Sequence, residues 1–478
     1  MRGFEEQVAA IVGDKNVLVD DADKAPFLQD WLGKYRGKAV AVVKPATTQE
    51  VASVLAACRD SGVAVVPQGG NTSMSGGATP DATGASIVLS LTRMNKIRNV
   101  DPIGNTMTVE AGVILAAVQR AAKEAGRFFP LSLGAEGSCT IGGNLATNAG
   151  GVAVLRYGTM RELTLGLEVA FADGRIWDGL RALRKDNTGY SLRDLIVGSE
   201  GTLGVITGAV LKLFPEPKAR ATALVSLRDV DSALSLLARV RERCGDRLTA
   251  FEFMAGDCVE LVVRHVADVR LPFPAVPPAA VLVELSDTDD DTALGARLEA
   301  SLVDAAEVEI IFDAAIAQDA TQARTFWRLR EGISEALVRE GKAAKHDVSV
   351  PVARMADFMA SANAAVAGVA PGVRHVVFGH LGDGNLHYNL LKAESTSDAD
   401  FAALAPSLTR IVHDETERCR GSISAEHGIG QLRVNEIPYY KAPIELELMQ
   451  ALKSIFDPAG LLNPGKLLPG PSSTKEQS

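Results

Sequence analysis

Residues 134–151 read GAEGSCTIGGNLATNAGG, a run built almost entirely from glycine and other small residues. Glycine lets the backbone approach a ligand closely, but it loses more conformational freedom on folding than any other residue. Two similar runs lie on either side along the chain: PQGGNTSMSGG at 67–77 and GSEGTLG at 198–204. A structural loop has no need of so much glycine, so we interpret the three runs as the lining of one long ligand cleft.

The chemistry of these loops suits a dinucleotide. Converging backbone N–H groups can bind an anion such as a pyrophosphate, and Asn71, Thr72, Ser73 and Ser75 add neutral hydrogen-bonding groups. The sequence contains neither GxGxxG nor GxxxxGK[ST], so neither a Rossmann fingerprint nor a P-loop is expected. For any one of these runs taken alone, a flexible loop is the alternative.

The segments around the loops predict an α+β protein with three regions. Residues 39–70 read as β-α-β, and the prolines at the end of LGVITGAVLKLFPEP mark a boundary. We therefore predict domains at 1–216, 217–395 and 396–478. The second region alternates strands and helices, which favours an antiparallel sheet with helices on one face, and the third is mainly helical.

Composition excludes several classes of protein. Of 478 residues, 47% are hydrophobic and 23% charged, and the net charge is −10. This chain is not mainly disordered and has no general attraction for nucleic acid or anionic lipid. The five cysteines show no CxxC spacing, which argues against haem attachment or an iron–sulfur centre. Without a recognisable signal peptide or transmembrane run, we expect a cytoplasmic protein.

A histidine cluster near the C-terminus predicts a metal site. In VVFGHLGDGNLHYNLL, an Asp-Gly turn at 383–384 would pair His380 with His387 across a two-residue hairpin. Cross-strand partners have Cβ atoms about 4.5–5.5 Å apart, so both imidazoles could bind one ion. Glu426 or His427, in ISAEHGIG, offers a third ligand, but adjacent side chains of an extended segment point apart. The alternative is a pair of stacked or solvated histidines.

The motifs PQGGNTSMSGG, GAEGSCTIGGNLATNAGG, RYGTM, LRKDNTGY and GSEGTLGVIT together resemble the FAD domain of the vanillyl-alcohol oxidase/p-cresol methylhydroxylase superfamily. The chain is most similar to its FAD-linked D-2-hydroxyacid dehydrogenases, especially the D-2-hydroxyglutarate dehydrogenases, over about residues 30–468. The resemblance implies a two-subdomain FAD-binding domain, an antiparallel-sheet substrate domain and a C-terminal region returning to the FAD. It assigns the following residues to FAD binding: Pro67, Gly69, Gly70, Asn71, Thr72, Ser75, Gly76, Gly77, Gly137, Ser138, Gly142, Gly143, Asn144, Gly150, Gly151, Tyr157, Gly158, Glu200, Gly201, Gly204, Ile206 and Asn463.

Many relatives attach the flavin covalently through a histidine or cysteine in these loops. No histidine precedes His265, and Cys139 is the only cysteine in the loops. Free cysteine usually behaves as a small hydrophobic residue. We therefore expect noncovalent FAD.

The resemblance also implies roles around the histidine cluster. His380, His387 and Glu426 would bind a divalent metal, usually zinc, and His427 would act as general base and contact the substrate. Arg330, Ser334, Lys345 and Asn389 match substrate contacts. Arginine and lysine suit carboxylates, although solvated helix charges are the alternative for Arg330.

These expectations describe an FAD- and metal-dependent dehydrogenase that converts a D-2-hydroxy acid into a 2-oxo acid. Lys345, as the cation for a distal carboxylate, favours D-2-hydroxyglutarate over D-lactate, D-malate or mandelate. The family suggests electron-transferring flavoprotein as a soluble electron acceptor, and a homodimer. A zinc hydrolase that uses His380, His387 and Glu426 is the alternative from another class, and a non-catalytic flavin-binding module is a second.

Overall fold

The computed structural model describes residues 2–289 and 293–470. The chain folds into two compact units. The first contains the described residues of Met1–Gly151, Gly158–Glu216 and Glu426–Ser478, and the second contains those of Val152–Tyr157 and Pro217–Ala425. Each unit is described by itself below.

The strands are β1 (Val17–Leu18), β2 (Val42–Val43), β3 (Ala64–Gln68), β4 (Ser86–Ser90), β5 (Ile97–Asp101), β6 (Thr106–Glu110), β7 (Arg127–Phe128), β8 (Thr164–Ala170), β9 (Ile176–Gly179), β10 (Val205–Lys212), β11 (Phe214–Pro215), β12 (Ala219–Leu227), β13 (Leu248–Ala255), β14 (Ala279–Asp287), β15 (Ile311–Ile316), β16 (Ala343–Ser349), β17 (Arg374–His380) and β18 (Asn385–Leu391).

The α-helices are α1 (Arg2–Val12), α2 (Asp21–Lys24), α3 (Thr48–Ser61), α4 (Leu115–Glu124), α5 (Ile141–Ala146), α6 (Val154–Tyr157), α7 (Leu192–Ile196), α8 (Val230–Cys244), α9 (Gly256–His265), α10 (Ala293–Glu307), α11 (Ala320–Glu331), α12 (Ile333–Glu340), α13 (Met355–Val369), α14 (Asp398–Arg418), α15 (Ile437–Tyr440) and α16 (Pro443–Phe456). None of the helices in the described part of the chain has the length and apolar character that a membrane span requires.

The first unit contains two larger sheets. One has the order β1-β2-β4-β3, in which β4 pairs in parallel with both β2 and β3. The helix α3 lies between β2 and β3 in the chain. It begins after Thr47, whose hydroxyl accepts a hydrogen bond from the N–H of Glu50 at 3.1 Å. It ends at Gly62, which has φ +65°. The predicted β-α-β segment is confirmed. The other sheet is antiparallel, with the order β5-β6-β10-β8-β9.

The second unit is organised around a seven-stranded antiparallel sheet, with the order β15-β12-β14-β13-β17-β18-β16. Alternate residues of β14 enter different apolar clusters: Val281 and Val283 pack with residues of α8, α10, α13 and α14, whereas Leu282 packs with residues of α9, α11 and α12. Helices therefore cover both faces, and the prediction that they lie on one face was wrong. The physical reason is visible in β14, whose near-continuous apolar sequence has no solvent-facing side.

The C-terminal third of the chain is shared between the units. The helix α14 packs into the second unit through Phe401, Leu408 and Val412, whereas residues from Glu426 onward belong to the first. Near the end of the chain, Leu462 forms a parallel bridge with Val65 of β3. This bridge places Asn463 beside the first residues of the glycine-rich loop that follows β3.

Candidate functional site

The three glycine loops pack against one another within the first unit. A Cβ on Gly69 would lie 2.2 Å from Oγ1 of Thr140, and one on Gly70 would lie 2.0 Å from the carbonyl oxygen of Ser138. These distances are far too short for any side chain, so glycine is required where the 67–77 and 134–151 loops touch. A Cβ on Gly201, which has φ +71°, would meet Pro67 at 3.1 Å.

Asn463 connects two of these loops. Its Nδ2 donates to the carbonyl oxygens of Gly77 at 2.9 Å and Glu200 at 2.7 Å. Its Oδ1 is buried without a hydrogen-bond partner, as are the hydroxyls of Thr140 and Ser199. Buried polar atoms are normally paired, so partnerless atoms in three neighbouring glycine-rich segments fit a polar cofactor.

Two predicted FAD contacts use their side chains for the protein itself. Asn71 donates from Nδ2 to the carbonyl oxygen of Gln29 at 2.9 Å. The carboxylate of Glu200 accepts the N–H groups of Ile429 and Gly430, each at 2.8 Å, and its burial raises its pKa. These hydrogen bonds connect the loops to other segments of the first unit.

Two further predicted FAD residues, and the loop cysteine, lie in different surroundings. Ile206 is buried inside β10, and Tyr157 belongs to the second unit, with the guanidinium of Arg156 5.1 Å from the centre of its ring. The thiol of Cys139 is buried, and this burial raises its pKa. A raised pKa disfavours the nucleophilic thiolate, which is consistent with noncovalent FAD. The contacts of these and the other predicted FAD residues with the cofactor stay predictions.

The histidine hairpin of the second unit differs from its predicted register. Phe378, not His380, lies opposite His387 in the β17–β18 pairing, and four residues, 381–384, separate the strands. The loop opens at Leu381 because this side chain is fully buried in the apolar core. The predicted two-residue Asp-Gly turn was therefore wrong. The error is a shift of two residues, which keeps both histidines on one face of the sheet, and their ring centres lie 5.9 Å apart.

Three ligand-type side chains meet at this hairpin. One ligand atom from each of His380, His387 and Glu426 lies within 4.8 Å of the other two. Glu426 directly follows Ala425, whose N–H donates to the carbonyl oxygen of Asp347 in β16 at 3.2 Å, so its backbone is held by the edge strand of the sheet. Two histidines and one carboxylate are the donor set of catalytic zinc sites, in which a fourth position stays open for substrate. The residues present fit a divalent ion.

Both histidines have carboxylates beside their other ring nitrogen. Nδ1 of His380 lies 2.7 Å from Oε1 of Glu252, its partner in the β13–β17 pairing. Nδ1 of His387 lies 3.8 Å from Oδ1 of Asp347, its partner in the β16–β18 pairing. A carboxylate hydrogen-bonded to an imidazole, as Glu252 is to His380, orients a metal-binding ring and increases its basicity, whereas the 3.8 Å separation of Asp347 from His387 is too long for a hydrogen bond.

Glu252 is a residue that the sequence reasoning missed. Its side chain is 1% exposed and bonds to both His380 and Arg330. Burial alone would raise its pKa, but the neighbouring His380 and Arg330 lower the pKa to about 2. The signal was present in the strand sequence LTAFEFMA, where Glu252 is the lone charged residue. A charge in such a strand needs a buried partner.

The predicted substrate residues occupy two elements of the second unit. Arg330, near the end of α11, is buried, whereas Ser334 lies on α12 and is exposed. Gly332 separates the two helices. Lys345 and Asn389 are direct partners in the β16–β18 pairing. They lie two residues from the Asp347–His387 pair, so all four side chains share one face of the sheet.

His427 belongs to the first unit, where its carbonyl oxygen accepts a hydrogen bond from the hydroxyl of Ser75 at 2.9 Å. It is not part of the group of three ligand-type side chains. Its role as a base stays a prediction.

Comparison with known proteins gives the family. Residues 39–179 match the FAD binding domain, and residues 216–467 match the C-terminal domain of FAD linked oxidases. The chain belongs to the FAD-linked oxidase family. Within it, the chain is 40% identical over 461 residues, 96% of this chain and 80% of the relative, to a probable mitochondrial D-2-hydroxyglutarate dehydrogenase of Oryza sativa subsp. indica. It is 41% identical over 471 residues, 97% of this chain and 84% of the relative, to mitochondrial D-2-hydroxyglutarate dehydrogenase of Bos taurus.

A solved structure shows the same fold. Substrate-bound p-cresol methylhydroxylase aligns with 97% of this chain and 96% of its own length, at a TM-score of 0.74 and 17% identity. The predicted vanillyl-alcohol oxidase-type fold is confirmed. The family matches identify the chain as an FAD-dependent oxidoreductase and favour this class over the zinc hydrolase.

Proposed function

We propose that this FAD-dependent dehydrogenase uses a divalent ion to oxidise D-2-hydroxyglutarate to 2-oxoglutarate. The observation that carries the proposal is the meeting of His380, His387 and Glu426, with Glu252 joining His380 to the buried Arg330. A set of metal ligands beside a cation that suits carboxylates is what a 2-hydroxy acid requires. The names of the rice and bovine relatives support the same substrate.

A divalent ion and FAD would supply two kinds of chemistry. A divalent ion held by His380, His387 and Glu426 would lower the pKa of a bound hydroxyl group, and FAD in the glycine loops would accept the hydride from C2. The remaining steps fall to side chains. His427 would accept the hydroxyl proton as general base, and Arg330 would hold the C1 carboxylate with its planar guanidinium. The products would be the 2-oxo acid, reduced flavin and protonated His427.

The arrangement of strands β16 and β18 favours a diacid. Lys345 and Asn389 lie two residues along the strands from His387, which corresponds to about 7 Å. A five-carbon diacid with its hydroxyl end at His387 can extend its distal carboxylate toward the Lys345 amine, whereas D-lactate has no group that reaches so far. A soluble electron acceptor such as electron-transferring flavoprotein, a homodimer and a cytoplasmic location stay predictions from sequence.

Anaerobic bleaching of the flavin tests the proposal. The FAD-loaded protein is mixed, without oxygen, with D-2-hydroxyglutarate, L-2-hydroxyglutarate, D-lactate or D-malate, and flavin absorbance is followed. We expect D-2-hydroxyglutarate to bleach the flavin fastest and its L enantiomer to leave the spectrum unchanged. Faster bleaching by D-lactate would refute the choice of substrate, and the absence of bleaching by all the acids would refute the dehydrogenase.

A further inference from the structure

The carboxylate of Glu252 is shared between two groups with different proposed tasks. Its Oε1 lies 2.7 Å from Nδ1 of His380, and its Oε2 accepts hydrogen bonds from both Nε and Nη2 of Arg330 at 2.8 Å. The side chain is almost completely buried. Removing a charge from water is costly unless strong partners offset it, so a lone glutamate in this strand demands an explanation beyond stability.

Its contact with His380 determines which imidazole nitrogen is available. An ionised carboxylate can only accept hydrogen bonds, so Nδ1 of His380 must carry a proton. In the neutral ring, Nε2 then keeps its lone pair and is the nitrogen that can bind an ion. Glu252 thus fixes both the orientation of the ring and the tautomer that a metal ligand needs.

The contact of Glu252 with Arg330 fixes the orientation of the guanidinium group. Nε and Nη2 are both directed to Glu252, and the guanidinium carbon lies 4.6 Å from the centre of the Phe378 ring. Stacking and hydrogen bonding together hold the plane of the guanidinium. Nη1 is the part of the fork that Glu252 does not use, and it is the part that could reach a substrate carboxylate.

We propose that Glu252 is a positioning residue that sets the metal-binding tautomer of His380 and the orientation of Arg330 at the same time. The inference rests on the proposed function and deepens it, because it explains how one buried group would align the ion and the carboxylate-binding arginine. Glutamine cannot replace it. An amide has one acceptor atom and one donor group in place of two acceptors. If the NH2 group faces Arg330, that contact is lost, and if it faces His380, it donates to Nδ1 and moves the ring proton to Nε2, the nitrogen that would bind the ion.

The neighbouring strand offers a matched control. Glu284 of β14 is also buried, and its carboxylate accepts hydrogen bonds from Arg220, Thr222 and Trp327 of α11. It attaches the same helix to the same sheet without touching the histidines in any hydrogen bond seen in the described residues. A glutamate that only secures α11 should therefore behave like Glu284.

The test uses FAD-loaded protein from which metal has been removed with a chelator. Zn²⁺ is titrated by equilibrium dialysis into the wild type, Glu252→Gln and Glu284→Gln, and flavin content and thermal stability are measured on the same samples. We expect Glu252→Gln to weaken Zn²⁺ binding by about 10–100-fold, the usual effect of removing such a partner, with FAD content unchanged. It should also raise the KM for D-2-hydroxyglutarate. Glu284→Gln should keep the wild-type Zn²⁺ affinity.

The possible results distinguish a failure of the role proposed for Glu252 from a failure of the proposed function. Equal Zn²⁺ affinity in the wild type and Glu252→Gln would overturn the inference alone. If the wild type bound no Zn²⁺, or His387→Ala bound it as tightly as the wild type, the proposed metal site would fail and the inference with it. Should Glu252→Gln not fold, the double variant Glu252→Gln/Arg330→Met removes both charges together and is compared with Arg330→Met alone in the same titration.

Discussion

Replacing Lys345 with alanine should change substrate selectivity more than it changes catalysis. The lysine lies on β16 opposite Asn389 and two residues from Asp347, on the same face of the sheet as the proposed metal ligand His387. In our account its ammonium group pairs with the distal carboxylate of D-2-hydroxyglutarate. Because D-lactate lacks that carboxylate, Lys345→Ala should leave its oxidation nearly unchanged.

The size of the effect follows from the exposure of the side chain. A hydrogen bond to a charged group contributes about 1.5–3 kcal/mol. Lys345 is exposed, so solvent screening favours the lower end, and about 1.5 kcal/mol corresponds to roughly a tenfold loss of kcat/KM. The amine is also partly desolvated by its neighbours, which lowers its pKa. As the pH rises, the amine of Lys345 therefore loses its charge earlier than an ordinary lysine does, and the KM for D-2-hydroxyglutarate should increase over that pH range. Lys345→Ala should not show this increase.

Steady-state rates with D-2-hydroxyglutarate and D-lactate provide the measurement. Lys342→Ala, another exposed lysine directly before β16, controls for the general loss of positive charge and should keep the wild-type ratio of the two kcat/KM values. An equal loss on both acids in Lys345→Ala would show that this lysine does not recognise the distal carboxylate.

Three further predictions concern the base, the metal and the cofactor loops. His427→Ala should keep metal and FAD while turnover falls by about 10²–10⁴-fold, the usual contribution of a general base, and loss of metal in elemental analysis would contradict its role. His387→Ala should lose the metal but keep FAD, as measured by elemental analysis and flavin absorbance. Gly70→Ala should lower FAD content and destabilise the fold by about 1–3 kcal/mol, because its Cβ would lie 2.0 Å from the carbonyl oxygen of Ser138. Gly134→Ala, whose Cβ would meet nothing within 4 Å, should have little effect in the same thermal and flavin measurements.

The sequence was sufficient to predict that the glycine loops come together, because local chemistry carries the signal there. Glycine is needed where two backbones touch, as at Gly69 and Gly70, and this need is visible as a cluster in the sequence. The pairing of His380 with His387 was predicted on the correct face but in the wrong register. The face of the sheet on which a side chain lies depends only on the two-residue period of a strand. The register of the β17–β18 pairing depended instead on the burial of Leu381 in the core, which a turn motif cannot reveal.

Long-range partners were beyond the reach of sequence patterns. Glu252 is 78 residues from Arg330 and 128 residues from His380, so no local spacing connects them. The coverage of both faces of the large sheet was missed for a related reason. The apolar sequence of β14 lacks the alternation of a half-buried strand, and this sign of burial on both faces was overlooked.

Metal-dependent flavin reduction tests the central claim most directly. FAD-loaded wild-type protein is treated with a chelator until elemental analysis finds no divalent metal, and anaerobic stopped-flow absorbance then follows flavin reduction by D-2-hydroxyglutarate with and without added Zn²⁺. Our account predicts that reduction nearly stops without metal, returns when Zn²⁺ is added, and does not return in His387→Ala. Unchanged reduction in the metal-free protein would contradict the account, because the hydroxyl pKa would then be lowered by some other group.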